Sequence, residues 1–181
     1  MRLIILDRDG VINQDSANFI KSAQEWQPIP GSLEAIARLN QADYRVVIAT
    51  NQSGLARGLF HITQLHEIHR KMYQLLAGVG GSIDAIFFCP HGPDDDCYCR
   101  KPKPGLFLDI AQRLQLETLT AVPAVGDSIR DIRAAQAAGA NPILVLTGKG
   151  QQTLNQNPEL AAQIACHPNL AEAVDALLAK G

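Results

Sequence analysis

Five short apolar runs along this chain each stop at a residue that can bind or react, and helix-like segments separate them. The runs are Leu3–Leu6, Val46–Ala49, Ile83–Phe88, Ala121–Val125 and Ile143–Leu146, and they lead into Asp7, Thr50, Cys89, Asp127 and Thr147. Continuous apolar runs of this length read as strands buried on both faces. Ser32 opens the first helical segment, with Leu33, Ile36, Ala37 and Leu39 on one face. Leu65, Ile68, Met72, Leu75 and Leu76 mark a second over residues 62–77, ended by Gly78 to Gly81. Leu106–Leu114, entered through Pro104, and Ile129–Ala138, closed by Gly139, supply two more. Ile164–Cys166 reads as a sixth, edge strand and Leu170–Leu178 as a closing helix. Strand alternating with helix predicts an α/β fold whose parallel sheet is covered on both faces. Such a sheet brings the carboxyl ends of its strands to one edge, where open α/β folds bind ligands. Asp7, Asp9, Thr50 and Asp127 should therefore meet there, although they are far apart in sequence.

The 181 residues suit one domain with a real core, and neither residues 11–30 nor 90–104 are long enough to hold a second. Charged residues make up 19% of the chain and the formal net charge is −2, which gives no electrostatic footprint for nucleic acid or an acidic membrane. No apolar run reaches the length of a membrane span, and the N-terminus has no signal-peptide pattern. The expectation is a cytoplasmic protein and a monomer, with cysteines kept reduced.

The first strand end carries the densest chemistry. In an extended backbone alternate side chains point the same way, so Asp7 and Asp9 can converge, and Gly10 lets the chain turn away. With Asp127 they make three acids in one place, which repel unless a hard cation relieves them. Oxygen ligands with few other protein donors suit Mg²⁺, which often bridges to a phosphate. Thr50 can offer a hydroxyl, Asn51 and nearby amides N–H groups, and Lys101 a charge. That set describes phosphoryl transfer, in which positioning and charge neutralisation do most of the work. A carboxylate can also attack phosphorus directly, forming an aspartyl-phosphate.

A second constellation, Cys89-x-His91-x5-Cys97-x-Cys99, has the ligand types that zinc prefers. Four such ligands make a closed structural site, whose metal would staple the loop at residues 90–105. Arg100 and Lys101 follow at once, so the metal would fix their approach to the strand ends. Asp94, Asp95 and Asp96 inside the loop read as a solvated turn.

Asp7-Arg8-Asp9-Gly10-Val11, Thr50-Asn51-Gln52, Arg100-Lys101-Pro102 and Gly126-Asp127 with Asp131 resemble the four ordered motifs of the haloacid-dehalogenase-like (HAD) superfamily. The likeness runs from residue 4 to about 148. It implies a three-layer α/β/α, Rossmann-like HAD fold over residues 1–181. It also implies that Asp7 is the nucleophile and that Asp9 protonates the leaving alcohol, then activates water. Thr50 and Lys101 would hold the phosphoryl group. Asp7, the Asp9 backbone carbonyl and Asp127 would bind Mg²⁺, with Asp131 supporting them from behind.

The zinc loop, from Cys89-Pro90-His91 to Cys97-Tyr98-Cys99-Arg100-Lys101-Pro102, narrows the likeness to two capless branches, the heptose-bisphosphate and the histidinol-phosphate phosphatases. Leu6–Asn13 and Thr50–Gly58 resemble the heptose branch. That branch implies removal of the 7-phosphate from a heptose 1,7-bisphosphate, in the supply of activated heptose for lipopolysaccharide core. By the same resemblance Gln52, Ser53 and Arg100 would touch substrate, and Arg57 and Arg100 are the cations for its second phosphate. Many relatives have a basic residue directly after the fourth-motif aspartate; this chain has Ser128 there and Arg130 two positions on. With no cap domain, residues 15–20 and 52–57 and the zinc loop must shape the pocket.

Other residues read more plainly. His66 and His69 fit surface or helix-packing roles, Cys166 a small buried apolar residue, and Trp26 local packing. Gly148-Lys149-Gly150 is too short a match for a phosphate loop, and Lys149–Pro158 reads as a polar, mobile stretch.

Overall fold

The computed structural model describes residues 2–179. Six parallel strands form one sheet: β1 (Arg2–Leu6), β2 (Tyr44–Asn51), β3 (Ala85–Cys89), β4 (Pro123–Gly126), β5 (Asn141–Val145) and β6 (Ala165–His167). Their spatial order is β3-β2-β1-β4-β5-β6. The chain thus winds outward from β1 in one direction, then returns and winds outward in the other. Ile4 sits opposite Val46 on β2, and Ile5 opposite Ala124 on β4. The crevice between β1 and β4 is the topological switch point, where a doubly wound sheet takes its ligand.

The side-chain alternation along each strand builds two cores. Ile4 and Leu6, with Val46 and Ile48, face α1 (Ser32–Gln41), α2 (Ile62–Gly78) and α7 (Leu170–Leu178) through Ile36, Leu39, Ile68, Met72 and Val174. Leu3 and Ile5, with Val47 and Ala49, face α3 (Gly105–Arg113) and α4 (Ile129–Ala137) through Leu106, Phe107, Ile110 and Ala134. This is the three-layer α/β/α arrangement expected. Trp26 is fully buried in the first core rather than packed within its own loop. No helix among the described residues is long and apolar enough to cross a membrane.

Three expected boundaries shift, each for a local reason. β3 starts at Ala85, not Ile83, because the Asp84 carboxylate turns back to accept from the Val46 N–H and to pair with Arg45. β4 starts at Pro123, not Ala121, because Ala121 takes a left-handed φ of 65° in the turn that Leu119 and Val122 close. Lys149–Pro158 is not irregular: α5 (Gly150–Gln156) occupies it, and a short α6 (Leu160–Gln163) follows. Buried Thr153 anchors α5 by donating its hydroxyl to the Asp127 carbonyl at 2.9 Å.

Candidate active site

The carboxyl edge of the sheet holds a cavity of about 210 Å³ lined by Asp7, Asp9, Thr50, Lys101, Asp127 and Asp131, among others. Asp7 follows β1 and Asp127 follows β4, so the two flank the switch-point crevice. Lys101 arrives from the loop after β3. Its ammonium lies 3.0 Å from Asp7 Oδ1 and 2.6 Å from Asp131 Oδ1, and it donates to the Ala49 carbonyl at 2.7 Å. The remaining Asp131 oxygen accepts from the Ser128 N–H at 2.9 Å and from its hydroxyl at 2.6 Å, which caps the start of α4. Both oxygens of Asp131 are therefore occupied by protein donors, and Asp131 holds Lys101 in place rather than standing free.

Asp7 and Asp127 are compensated on one oxygen only, Asp7 by Lys101 and the Arg8 N–H and Asp127 by the Lys149 N–H. Burial, with the charges of Asp131 and Asp9, pushes Asp7 up to about 7 against the pull of Lys101. Burial, then Asp131 and Asp7, pushes Asp127 up to about 8. Lys101 runs the other way: burial would lower it, but Asp131 and Asp7 raise it to about 12, so it stays charged. Asp7, Asp127 and Asp131 each offer an oxygen within 4.8 Å of the others. Two buried, mutually repelling carboxylates with spare oxygens fit a hard divalent cation well.

The backbone around Asp127 is shaped for that closeness. A Cβ on Gly10, whose φ is 85°, would sit 2.0 Å from Asp127 Oδ2, and one on Gly148 would sit 2.2 Å from the same atom. Only glycine lets both turns close on the carboxylate. The Lys149 N–H donates to Asp127 Oδ2 at 2.8 Å, and its ammonium pairs with Asp15 across the cavity mouth at 2.9 Å. The Gly-Lys-Gly stretch is thus part of the site through Asp127, a role that its short motif did not disclose.

Asp9 also lines the cavity, but not through strand alternation, since the chain has already turned: the Ile12 and Asn13 amides both donate to the Arg8 carbonyl. Its carboxylate is gripped by Arg8, Asn13 and Gln52. Burial opposes the charge on Asp9, yet Arg8 and those hydrogen bonds hold it below the usual carboxylate value. Gln52 Nε2 also donates to Thr50 Oγ1 at 3.0 Å. Asn51 departs from expectation. Its side chain bonds the Lys101 backbone at both ends, accepting from the N–H at 3.1 Å and donating to the carbonyl at 3.0 Å. That side chain latches the Lys101 loop to the end of β2 instead of reaching toward a phosphate.

Farther out, Ser53, Arg57, Arg100 and Arg130 line the same cavity, with Phe19 and Ile20 from the loop after β1. Arg57 stacks on Phe19 at 5.5 Å, and Arg100 donates to the His91 carbonyl at 3.2 Å. Burial, then Arg130, presses Arg100 below its usual value, and Arg57 adds to this. Among the described residues none of these three guanidiniums pairs with a carboxylate. Ser128, directly after Asp127, and Arg130, two positions on, both line this cavity.

Cys89, His91, Cys97 and Cys99 come together beside this wall, each with a ligand atom within 4.8 Å of the others. The Cys89 and Cys97 sulfurs are 3.8 Å apart, and His91 Nδ1 lies 3.5 Å from Cys89 Sγ and 3.4 Å from Cys99 Sγ. Zinc–sulfur bonds of about 2.3 Å at a tetrahedral angle separate two sulfurs by about 3.8 Å. The four side chains are thus already spaced for one zinc ion. Of the expected turn, Asp95 accepts from the Gly92 N–H and Asp96 pairs with Lys103, and neither joins the cluster.

A family model described as HAD-hydrolase-like matches residues 98–173. The D-glycero-beta-D-manno-heptose-1,7-bisphosphate 7-phosphatase of Bordetella bronchiseptica is 64% identical over 156 residues, covering 86% of this chain and 87% of that protein. The protein of that name from Neisseria meningitidis serogroup A is 53% identical over 157 residues, covering 87% and 83%. The crystal structure of D,D-heptose 1,7-bisphosphate phosphatase from B. bronchiseptica, complexed with magnesium and phosphate, superposes with a TM-score of 0.97 at 57% identity over all of both chains.

Proposed function

The chain belongs to the D-glycero-β-D-manno-heptose-1,7-bisphosphate 7-phosphatase family of HAD-like hydrolases, and from that premise we propose how its own residues carry out the reaction. It is a phosphoric monoester hydrolase that removes the 7-phosphate of the bisphosphate and leaves heptose 1-phosphate. The observation that carries the site reading is the buried ammonium of Lys101 held between Asp7 and Asp131, with Asp127 alongside.

Asp7 is the nucleophile: one of its oxygens bonds to phosphorus as the bond from phosphorus to the C7 oxygen breaks. Asp9 supplies the proton that the departing alkoxide needs, and the dianionic phosphate beside it raises its affinity for that proton. In the second half Asp9 takes a proton from water, whose oxygen attacks phosphorus and frees the Asp7 carboxylate with inorganic phosphate. Lys101 and Thr50 orient the phosphoryl oxygens and spread their charge. Asp7, the Asp9 carbonyl and Asp127 would hold Mg²⁺, which supplies charge neutralisation for the transferring group. Asp131 keeps Lys101 aimed.

Arg57, Arg100 and Arg130 form the subsite for the phosphate at C1, with Gln52 and Ser53 closer to the sugar. Cys89, His91, Cys97 and Cys99 would hold a structural zinc, which would fix the Arg100–Lys101 segment. The reading keeps a monomer acting on a small sugar phosphate, without a nucleic-acid or membrane partner, in line with a formal net charge of −2. The three guanidiniums favour the heptose bisphosphate over histidinol phosphate, whose other end carries an ammonium. The test is phosphate release from both substrates, with the product of the first identified by phosphorus NMR. Heptose 1-phosphate is expected. Release of the C1 phosphate, or faster turnover of histidinol phosphate, overturns the reading.

A further inference from the structure

Arg8 sits between the two aspartates that follow β1, yet its side chain turns away from the cavity and is fully buried. Its Nε and Nη2 reach the two oxygens of Asp9, each at 3.0 Å. Nη2 also donates to Gln52 Oε1 at 3.2 Å, and Nη1 meets Nε2 of His69 at 3.3 Å. A guanidinium only donates, so Nε2 of His69 must be the acceptor, and the ring proton then lies on Nδ1. His69 is 8% exposed on α2, between Ile68 and Met72 turns that are anchored in the core. An unbroken set of hydrogen bonds therefore runs from α2 through Arg8 to Asp9 and Gln52, and from Gln52 to Thr50.

We propose that His69 is a positioning residue for this phosphatase: its neutral imidazole fixes the rotation of the Arg8 guanidinium, which in turn aims the Asp9 carboxylate for proton transfer. The proposal rests on the reading of Asp9 as the acid and base. The surroundings keep His69 in its neutral form. Burial and then Arg8 lower it to about 4, His66 adding to this and Asp9 opposing it. Arg70 and Tyr73 of α2, and the apolar Ile86 and Phe88 of β3, line the groove on its outer side. Without His69, Nη1 of a buried cation would lose its acceptor, and the guanidinium would be free to leave the geometry that Asp9 depends on.

His69→Gln keeps an acceptor oxygen near the place of Nε2, whereas His69→Leu removes it at similar bulk. Steady-state kinetics on heptose 1,7-bisphosphate should show kcat for His69→Leu reduced roughly tenfold with KM within about twofold, because a small misplacement of the acid costs turnover and not binding. His69→Gln should recover most of that loss. Asp9→Asn is measured alongside, and retained activity there would remove the acid–base reading itself, whatever His69 does. An unchanged kcat in His69→Leu, or a Gln variant no better than Leu, overturns the positioning role. Nitrogen-15 NMR of the imidazole in the wild-type protein needs no variant: a ring protonated on Nδ1 with bare Nε2 is expected, and a proton on Nε2 refutes the proposal.

Discussion

Lys101→Met tests the electrostatic logic of the site most directly. Lys101 is 2% exposed, and its ammonium lies 3.0 Å from Asp7 and 2.6 Å from Asp131. At an effective dielectric of about 20, each contact is worth roughly 5–6 kcal/mol before the cost of burying the charges. Removing one partner of such a group leaves buried charge unpaired and costs about 3–5 kcal/mol. A proton can partly replace the lysine. Lys101 lowers the pKa of Asp7, which still stands at about 7. In the variant Asp7 rises further and stays protonated to higher pH. The folded wild-type Asp7 is about half ionised at pH 7 and almost fully ionised by about pH 8.5, whereas the folded variant still binds its proton across that range. The variant's stability then falls more steeply with rising pH than that of the wild type, and the destabilisation should grow by roughly 1.5 kcal/mol over that range. Urea unfolding in magnesium-free buffer at both pH values measures this, without a chelator, which would strip the zinc. A destabilisation under about 1 kcal/mol, or one that does not change with pH, would refute the reasoning. Adding Asp131→Asn to Lys101→Met should return part of the lost stability, because it removes one of the two stranded charges.

Asp7→Asn should abolish turnover and leave the unfolding midpoint close to wild type, which activity and urea curves check together. Metal analysis should find about one zinc per chain, and a strong chelator should open the loop at residues 92–97 to proteolysis while β1 to β6 persist. The magnesium-free protein should lose stability as pH rises from about 4 toward 8. Asp7 and Asp127 have folded pKa values of about 7 and 8, above their unfolded ones, so each contributes stability at low pH and loses about 1.4 kcal/mol per unit through that window. Saturating Mg²⁺ should restore more of the melting temperature near pH 8 than near pH 5. Arg130→Ala should raise KM for the bisphosphate and leave KM for a heptose 7-monophosphate nearly unchanged, as measured on both substrates.

The sheet and its catalytic edge were legible because periodicity and strand ends are local signals. α7 spans Leu170–Leu178 as its apolar spacing predicts, and Asp7, Thr50 and Asp127 fall at the ends of β1, β2 and β4. The zinc quartet was legible because its ligand types and spacing are both unusual. α5 was not: Gly150-Gln151-Gln152-Thr153-Leu154-Asn155-Gln156 has almost no apolar face. Its position depends on Thr153 reaching Asp127, a contact between remote parts of the chain. Lys149 was hidden for the same reason, since its N–H matters only because Gly10 and Gly148 let the backbone approach Asp127.

Arg8 shows where a motif conceals physics. In Asp-Arg-Asp the chemistry is carried by the two acids, and the motif assigns the middle residue no role. The structure turns its side chain out of the cavity, against the Asp9 carboxylate and toward α2. A buried guanidinium is stabilised there because Asp9 neutralises it and Gln52 and His69 accept from its two terminal nitrogens. Each partner is thereby oriented. Before substrate binds Asp9 is held ionised, Gln52 is turned so that its amide reaches Thr50, and His69 is held neutral. The burial of one arginine therefore ties the aim of the acid–base group to the phosphate-facing threonine. A substitution at Gln52 should accordingly disturb both the aim of Asp9 and that of Thr50, rather than substrate contact alone.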